Sequence, residues 1–173
     1  MKKRSGTFLA AGVMCVVSTY LLGATAGAQD KEQAALAKAL QGVRTTLEEG
    51  LAASERSGRP ISGKFEVEEG KLQLSVYTMK GDKFAEVIVD HTTRKVAKTE
   101  AITSGEDLDA AKSQSVAMAK GKRSLRNAIE RAIKANGGFR AVSVMPALSG
   151  GRPVATITLL QGQTFKTVTE PLD

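Results

Sequence analysis

Acid–base, nucleophilic and metal chemistry in proteins depend on a few side-chain types, and this sequence is short of them. His91 is the only histidine among 173 residues, and Cys15 is the only cysteine. A nucleophilic serine needs a base beside it. Any Ser-His-Asp arrangement here would rest on His91, which stands in Asp90-His91-Thr92-Thr93-Arg94, a stretch that reads as a turn. One imidazole without a cysteine cannot build a transition-metal site. Carboxylates cluster at Glu66, Glu68 and Glu69 and again at Glu106, Asp107 and Asp109. The first group reads as the wet side of a strand and the second as acids at a helix start. Neither has the spaced oxygen ligands of a calcium loop. Gly137-Gly138 and Gly150-Gly151 read as a helix end and a hairpin turn, not as a phosphate-cradling loop. No catalytic, cofactor-binding or metal-binding residue is assigned. The chain is expected to be no enzyme and to need no cofactor.

The largest charge asymmetry is the run Lys120, Lys122, Arg123, Arg126, Arg131, Lys134 and Arg140. It reads either as a solvated helix face or as a surface for an acidic partner or anionic lipid. The whole chain carries +7, but Lys2, Lys3 and Arg4 supply three of those charges, and without them +4 remains. Aromatic residues make up 4% and tryptophan is absent. A mildly basic chain with few rings for base stacking points away from nucleic acid.

Lys2-Lys3-Arg4, the apolar stretch Phe8 to Leu22 and the small-residue pattern Ala26-Gly27-Ala28 form the three parts of a secretory signal. Cleavage is expected after Ala28, which predicts a periplasmic or secreted protein. The apolar stretch falls short of the ~20 residues of a spanning helix, so contact with the membrane is expected only if this segment is retained. Cys15 lies inside that stretch, with Met14 before it where a lipoprotein needs a small residue, so the mature chain has no thiol.

The elements that must position any site follow from periodicity. Residues 31–41 read as a helix, and Thr46-Leu47-Glu48-Glu49 is a capping box that starts another, stopped by Gly58 and Pro60. Phe65 and Val67, then Leu72, Leu74 and Val76, alternate with polar residues across Glu69-Gly70, which predicts a hairpin. Phe84 to Val89 follows as a third strand and Lys95 to Ala97 as a short fourth. Ser104-Gly105-Glu106-Asp107 starts a helix to about Lys120, Ser124 restarts it, and Asn136-Gly137-Gly138 ends it. Ala141–Met145, Val154–Leu160 and Phe165–Val168 read as strands. The alternation predicts a sheet with one face in water and the other under a helix.

The two halves align. Residues 75–87 lie over 156–168 at an offset of 81, with Gly81 over Gly162, Phe84 over Phe165 and Val87 over Val168. Thr46-Leu47 lies over Ser124-Leu125 at an offset of 78, and the three-residue difference is expected in loops. Within this pattern, residues 64–100 resemble a PepSY domain: the Leu74-Ser75-Val76-Tyr77 strand, Gly81 in the turn, and Val89-Asp90-His91-Thr92-Thr93 leading to Val96. The second half, with Ser124-Leu125, the double glycine Gly137-Gly138 and its closing strands, resembles the same family. Arg94 departs from it, since the family usually has glycine there, and Pro171 breaks the pattern of the last strand.

The resemblance implies an α+β fold of two PepSY-like units after an N-terminal signal peptide, each a helix packed on a small antiparallel sheet. Residues 1–28 are the signal peptide, 29–103 the first unit with its leading helix and 104–173 the second. It also implies a non-catalytic module of the bacterial envelope that binds protein or peptide or regulates a protease, with an envelope protease or an extended peptide as partner and no nucleic acid. The other reading is a structural or folding-helper periplasmic protein without a dedicated protease. If the binding reading holds, Tyr77 and Met79 on the sheet and Arg126 and Arg131 on the basic helix are the residues expected to meet a partner. Packing under a helix is the competing role for Tyr77 and Met79.

Overall fold

The computed structural model describes residues 26–173, so all but the end of the expected signal segment lies outside the described residues. The elements run α1 (Ala26–Ala39), α2 (Leu47–Ser54), β1 (Arg59–Glu68), β2 (Lys71–Lys80), β3 (Lys83–Asp90), β4 (Lys95–Ile102), α3 (Gly105–Lys120), α4 (Leu125–Ala135), β5 (Arg140–Ser149), β6 (Arg152–Gln161) and β7 (Thr164–Pro171). The expectation of two units, each with its own small sheet, is wrong. All seven strands form one antiparallel sheet in the order β4-β3-β2-β1-β5-β6-β7. The fold is α+β, but the two halves share a sheet because β1, the inner edge of one, pairs with β5, the inner edge of the other.

The duplication is legible in the backbone. Each strand of the second half starts 81 residues after its counterpart, and the register shift between Pro60 and Ser62 recurs between Ala141 and Ser143. Ile61 and Val142, at the two irregularities, are both buried. Gly63 pairs with Val144, its own counterpart, so the pseudo-two-fold axis passes between these two residues. The three-residue difference is not in a loop. Helix α4 has 11 residues against 8 in α2, and both end five residues before the next strand begins. The insertion is close to one helical turn, which lengthens the helix without rotating its buried face away from the sheet.

The starts at Thr46 and Ser124 obey their capping chemistry, whereas Ser104 is the N-cap of α3 without a side-chain capping bond. Thr46 Oγ1 accepts from the Glu49 amide at 3.2 Å, and Glu49 Oε2 accepts from the Thr46 amide at 2.9 Å. Ser124 Oγ likewise accepts from the Asn127 amide at 3.2 Å. Strand β1 begins at Arg59, earlier than Pro60 suggests, because the proline sits beside the register shift, where a missing amide is tolerated. Strand β4 continues to Ile102, and the first helix begins at Ala26. Arg94 takes φ 61°, the left-handed conformation that glycine would adopt without strain, and its guanidinium lies 3.2 Å from Glu49.

Paired residues share a face in an antiparallel sheet. Phe65, Leu74, Val76 and Val87 therefore face one way with Val144 and Ile157, and this side carries α2. A Cβ on Gly50 of α2 would stand 2.5 Å from Leu74 Cδ2, so the helix sits on the sheet at glycine distance. The counterpart pair is Ala128 and Ala155, where the smaller sheet residue leaves space for a Cβ. The opposite face is not open to water as expected. Helix α3 crosses it, with its first turn at Tyr77 of β2 and its end against Leu172 beyond β7.

Two arginines lock the halves by reaching across the axis. Arg59 Nη2 donates to the carbonyl of Met118 in α3 at 3.1 Å. Its counterpart Arg140 donates from Nη1 to Val43 at 2.8 Å and from Nη2 to Thr45 at 2.7 Å, in the connection between α1 and α2, and its guanidinium lies 5.5 Å from the centre of the Phe65 ring. Arg140 is half-buried, and Arg59 is exposed.

Charged donors to otherwise orphaned carbonyls contribute about 1.5–3 kcal/mol each. Arg140→Ala is expected to cost about 2–4 kcal/mol and Arg59→Ala about 1 kcal/mol, both within a single transition, read from urea midpoints. Equal losses, or a second transition, would contradict the crossed clasp. Gly50→Ala is expected to destabilise by about 1 kcal/mol, because crowding against Leu74 outweighs the ~1 kcal/mol gain in helix propensity. A stabilised variant in thermal melts would show that Leu74 yields.

Candidate functional site

A polar cluster occupies the sheet face under α3, built from alternate residues of three strands. Lys64 Nζ lies 2.5 Å from Glu66 Oε2, Ser75 Oγ donates to Glu66 Oε1 at 2.8 Å, and Gln73 Nε2 donates to Ser75 Oγ at 3.0 Å. Glu86 of β3 pairs with Tyr77 of β2, is 6% exposed, and also bonds Ser75. Burial raises the Glu86 pKa above its ordinary value, the neighbouring charges of Glu66 and Asp107 push the same way, and Ser75 and Lys64 oppose them.

Buried carboxyls with raised pKa occur in catalytic sites. This one is covered by protein, and neither of the two grooves at the seam between the halves is lined by it. Its arrangement ties the sheet to α3 through Tyr77, whose hydroxyl donates to Asp107 Oδ1 at 2.7 Å.

Tyr77 is therefore buried under a helix and is not presented to a partner. Met79 is half-buried and packs against the core. Arg126 and Arg131 do stand on the exposed side of α4, with Arg126 3.8 Å from Glu55 of α2 and Arg131 3.0 Å from Glu170 of β7. The four residues singled out in the sequence do not converge. His91 lies in the β3–β4 turn, and its carbonyl accepts from the buried Thr45 hydroxyl. Its counterpart Leu172 does the same work: its carbonyl accepts from the amides of Lys122 and Arg123 at 2.6 and 2.9 Å. In each half the helix-to-helix connection hangs on the carbonyl that follows the third strand.

The feature that sequence reasoning passed over is an asymmetry of the sheet edges. In the first half β4 pairs along the outer side of β3 from Phe84 to Asp90. Strand β7 is the counterpart of β3, and among the described residues no strand pairs with its outer side. It carries Thr164, Thr167, Val168 and Thr169, branched residues suited to a pleated strand, with Lys166 as the only cation. The other edge, β4, is exposed along almost its whole length and guarded by Lys95 and by the Lys98–Glu100 pair at 2.8 Å, the usual defence of an edge against strand pairing. The signal in the sequence was present: the second copy has three strand patterns where the first has four.

Comparison with family models, with curated proteins and with solved structures finds no match to this chain.

Glu86 supplies a signed test of the cluster. With its folded pKa raised, the native state holds a proton that the unfolded chain has released, so stability falls as pH rises from the ordinary carboxylate range through the raised value. Glu86→Gln is expected to melt higher than the parent at pH 7, with the difference closing below about pH 4, where both states of Glu86 are neutral. A lower melting point at pH 7 would mean that the charged form is held by Lys64 and Ser75 against burial.

Proposed function

We propose that this protein is a non-catalytic binding protein of the bacterial envelope that takes an extended segment of a partner onto the outer side of β7 by strand addition. The observation that supports it is the outer side of β7, with which no strand pairs among the described residues, at the position which β4 fills in the other half. A strand added there gains main-chain hydrogen bonds along the edge, while side-chain alternation sets specificity. Helix cover on both sheet faces argues against docking on an open sheet face and favours strand addition at an edge. The resemblance of residues 64–100 to PepSY modules, which occur in protease propeptides, favours a protease as the owner of that segment. The basic, apolar and small-residue order of the N-terminus favours the envelope as the compartment.

A synthetic peptide copying Lys95–Ile102 is the first probe, because the pseudo-two-fold brings the vacant position into register with that strand. In hydrogen exchange followed by NMR, alternate amides of Thr164–Glu170 are expected to exchange fast in the free protein. They should slow about tenfold with the peptide at ten times its Kd, while amides paired to β6 stay unchanged. Protection confined to β4, or none at saturating peptide, would sink the reading.

A further inference from the structure

Two grooves open at pseudo-equivalent ends of the seam between the halves, with volumes of about 360 and 380 Å³. They share counterpart lining residues: Arg59 matches Arg140, Gly58 matches Phe139 and Met118 matches Leu40. The two grooves overlap at these counterpart positions, and their charges differ. The groove at Arg140 is lined by that one cation, which donates to the carbonyls of Val43 and Thr45. The groove at Arg59 is lined by Arg59, Lys122, Arg123 and Arg126 against the single carboxylate of Glu55. The counterparts of Arg123 and Arg126 in the first half are Thr45 and Glu48, whereas those of Arg59 and Lys122 are the cations Arg140 and Arg44, so two of the four charges are particular to this groove.

The local bonds orient these cations without neutralising them. Arg59 donates to the Met118 carbonyl and Arg123 to the Pro171 carbonyl at 3.2 Å, both uncharged acceptors. Arg126 stands 3.8 Å from Glu55, with both side chains about half exposed, a pair that contributes little in water. The three arginines come from three places: the start of β1, the α3–α4 connection and the first turn of α4. A planar guanidinium takes a carboxylate side-on, so several of them lining one groove match a segment that carries more than one carboxylate. The floor is shallow, because Leu51, Met118 and Leu125 are only 1–3% exposed, and a long acyl chain has no channel to enter.

We propose that this groove is a second binding site, independent of the β7 edge, for an acidic peptide segment that lays two or more carboxylates along Arg59, Lys122, Arg123 and Arg126. The test is fluorescence anisotropy of the purified protein with a labelled peptide of alternating glutamate and glycine, and with its glutamine version, at low and high salt. The acidic peptide is expected to bind and the glutamine peptide not to bind. Lys122→Glu with Arg126→Glu should weaken binding at least about tenfold, whereas Lys95→Glu with Lys98→Glu on β4, the same change of net charge elsewhere, should change it less than about twofold. If the charge reversal unfolds the protein, Lys122→Gln with Arg126→Gln should still weaken binding about threefold or more, because it removes two cations without adding acids. Equal losses in the groove and β4 variants, or no binding to the parent, overturn the proposal. So does displacement of the peptide by inorganic phosphate, or by vesicles of phosphatidylcholine and phosphatidylglycerol, at lower anion concentration than the peptide's own carboxylates. Failure of β7 strand addition leaves this result intact, since the probe and the variants are different.

Discussion

The pairing of β1 with β5 is the constraint on which the rest of the molecule depends. A half alone would end its sheet at an edge whose residues belong in the interior: Ile61, Gly63 and Phe65 on one side, Val142 and Val144 on the other. Joining the halves through these strands removes two edges at once and makes one layer broad enough to carry helices on both faces. The axis falls on the Gly63–Val144 pair, and the missing side chain at Gly63 is what lets Leu47 and Leu51 of α2 come down onto the joint, since a Cβ there would stand 3.3 Å from Leu47 and 3.1 Å from Leu51. The arginine clasps complete it from the outside. Each belongs to one half and satisfies carbonyls in the helical part of the other, so neither half can leave without exposing a charge or orphaning a backbone acceptor.

The duplication has been kept where geometry is shared and altered where packing is local. Strand starts, the register shift and the turn glycines Gly81 and Gly162, with φ of 64° and 62°, coincide at one offset. At the helix–sheet contact, Gly50 against Leu74 becomes Ala128 and Ala155, an exchange of a small and a large residue for two of intermediate size. After the third strand, His91 becomes Leu172, and the carbonyl that anchors the helical connection is retained while the side chain changes from half-exposed to fully buried. Backbone roles outlast side-chain identity because a carbonyl is supplied by any residue.

The polar side of the sheet shows why alternation alone misplaced water. Lys64, Glu66, Ser75, Tyr77 and Glu86 look like a solvated face when read strand by strand. In the molecule they lie beneath or beside α3, and they are tolerated there because they satisfy one another and because Tyr77 finds Asp107. A period of two tells that successive residues face opposite ways. It does not tell which neighbour each face will meet, because α3 arrives from 30 residues further along the chain.

The amino-acid order by itself determined the elements and their repetition. The capping box at Thr46, the start at Ser124, the glycine turns and the period-two runs act over a few residues, and all appear where local physics puts them. The scarcity of histidine and cysteine was equally plain, and so was the basic run around α4. Only the tertiary structure decided that two repeats share one sheet, that the second face is roofed by α3, and that Arg59 and Arg140 cross the axis to hold each other's half. It also decided that four cations gather around one groove while, among the described residues, no strand pairs with the outer side of β7. The reason is physical. Helix starts, turns and strand alternation are properties of near neighbours in the chain. Edge pairing, roofing and the gathering of cations bring together residues 30 to 97 positions apart, and their energies exist only once the chain has closed those distances.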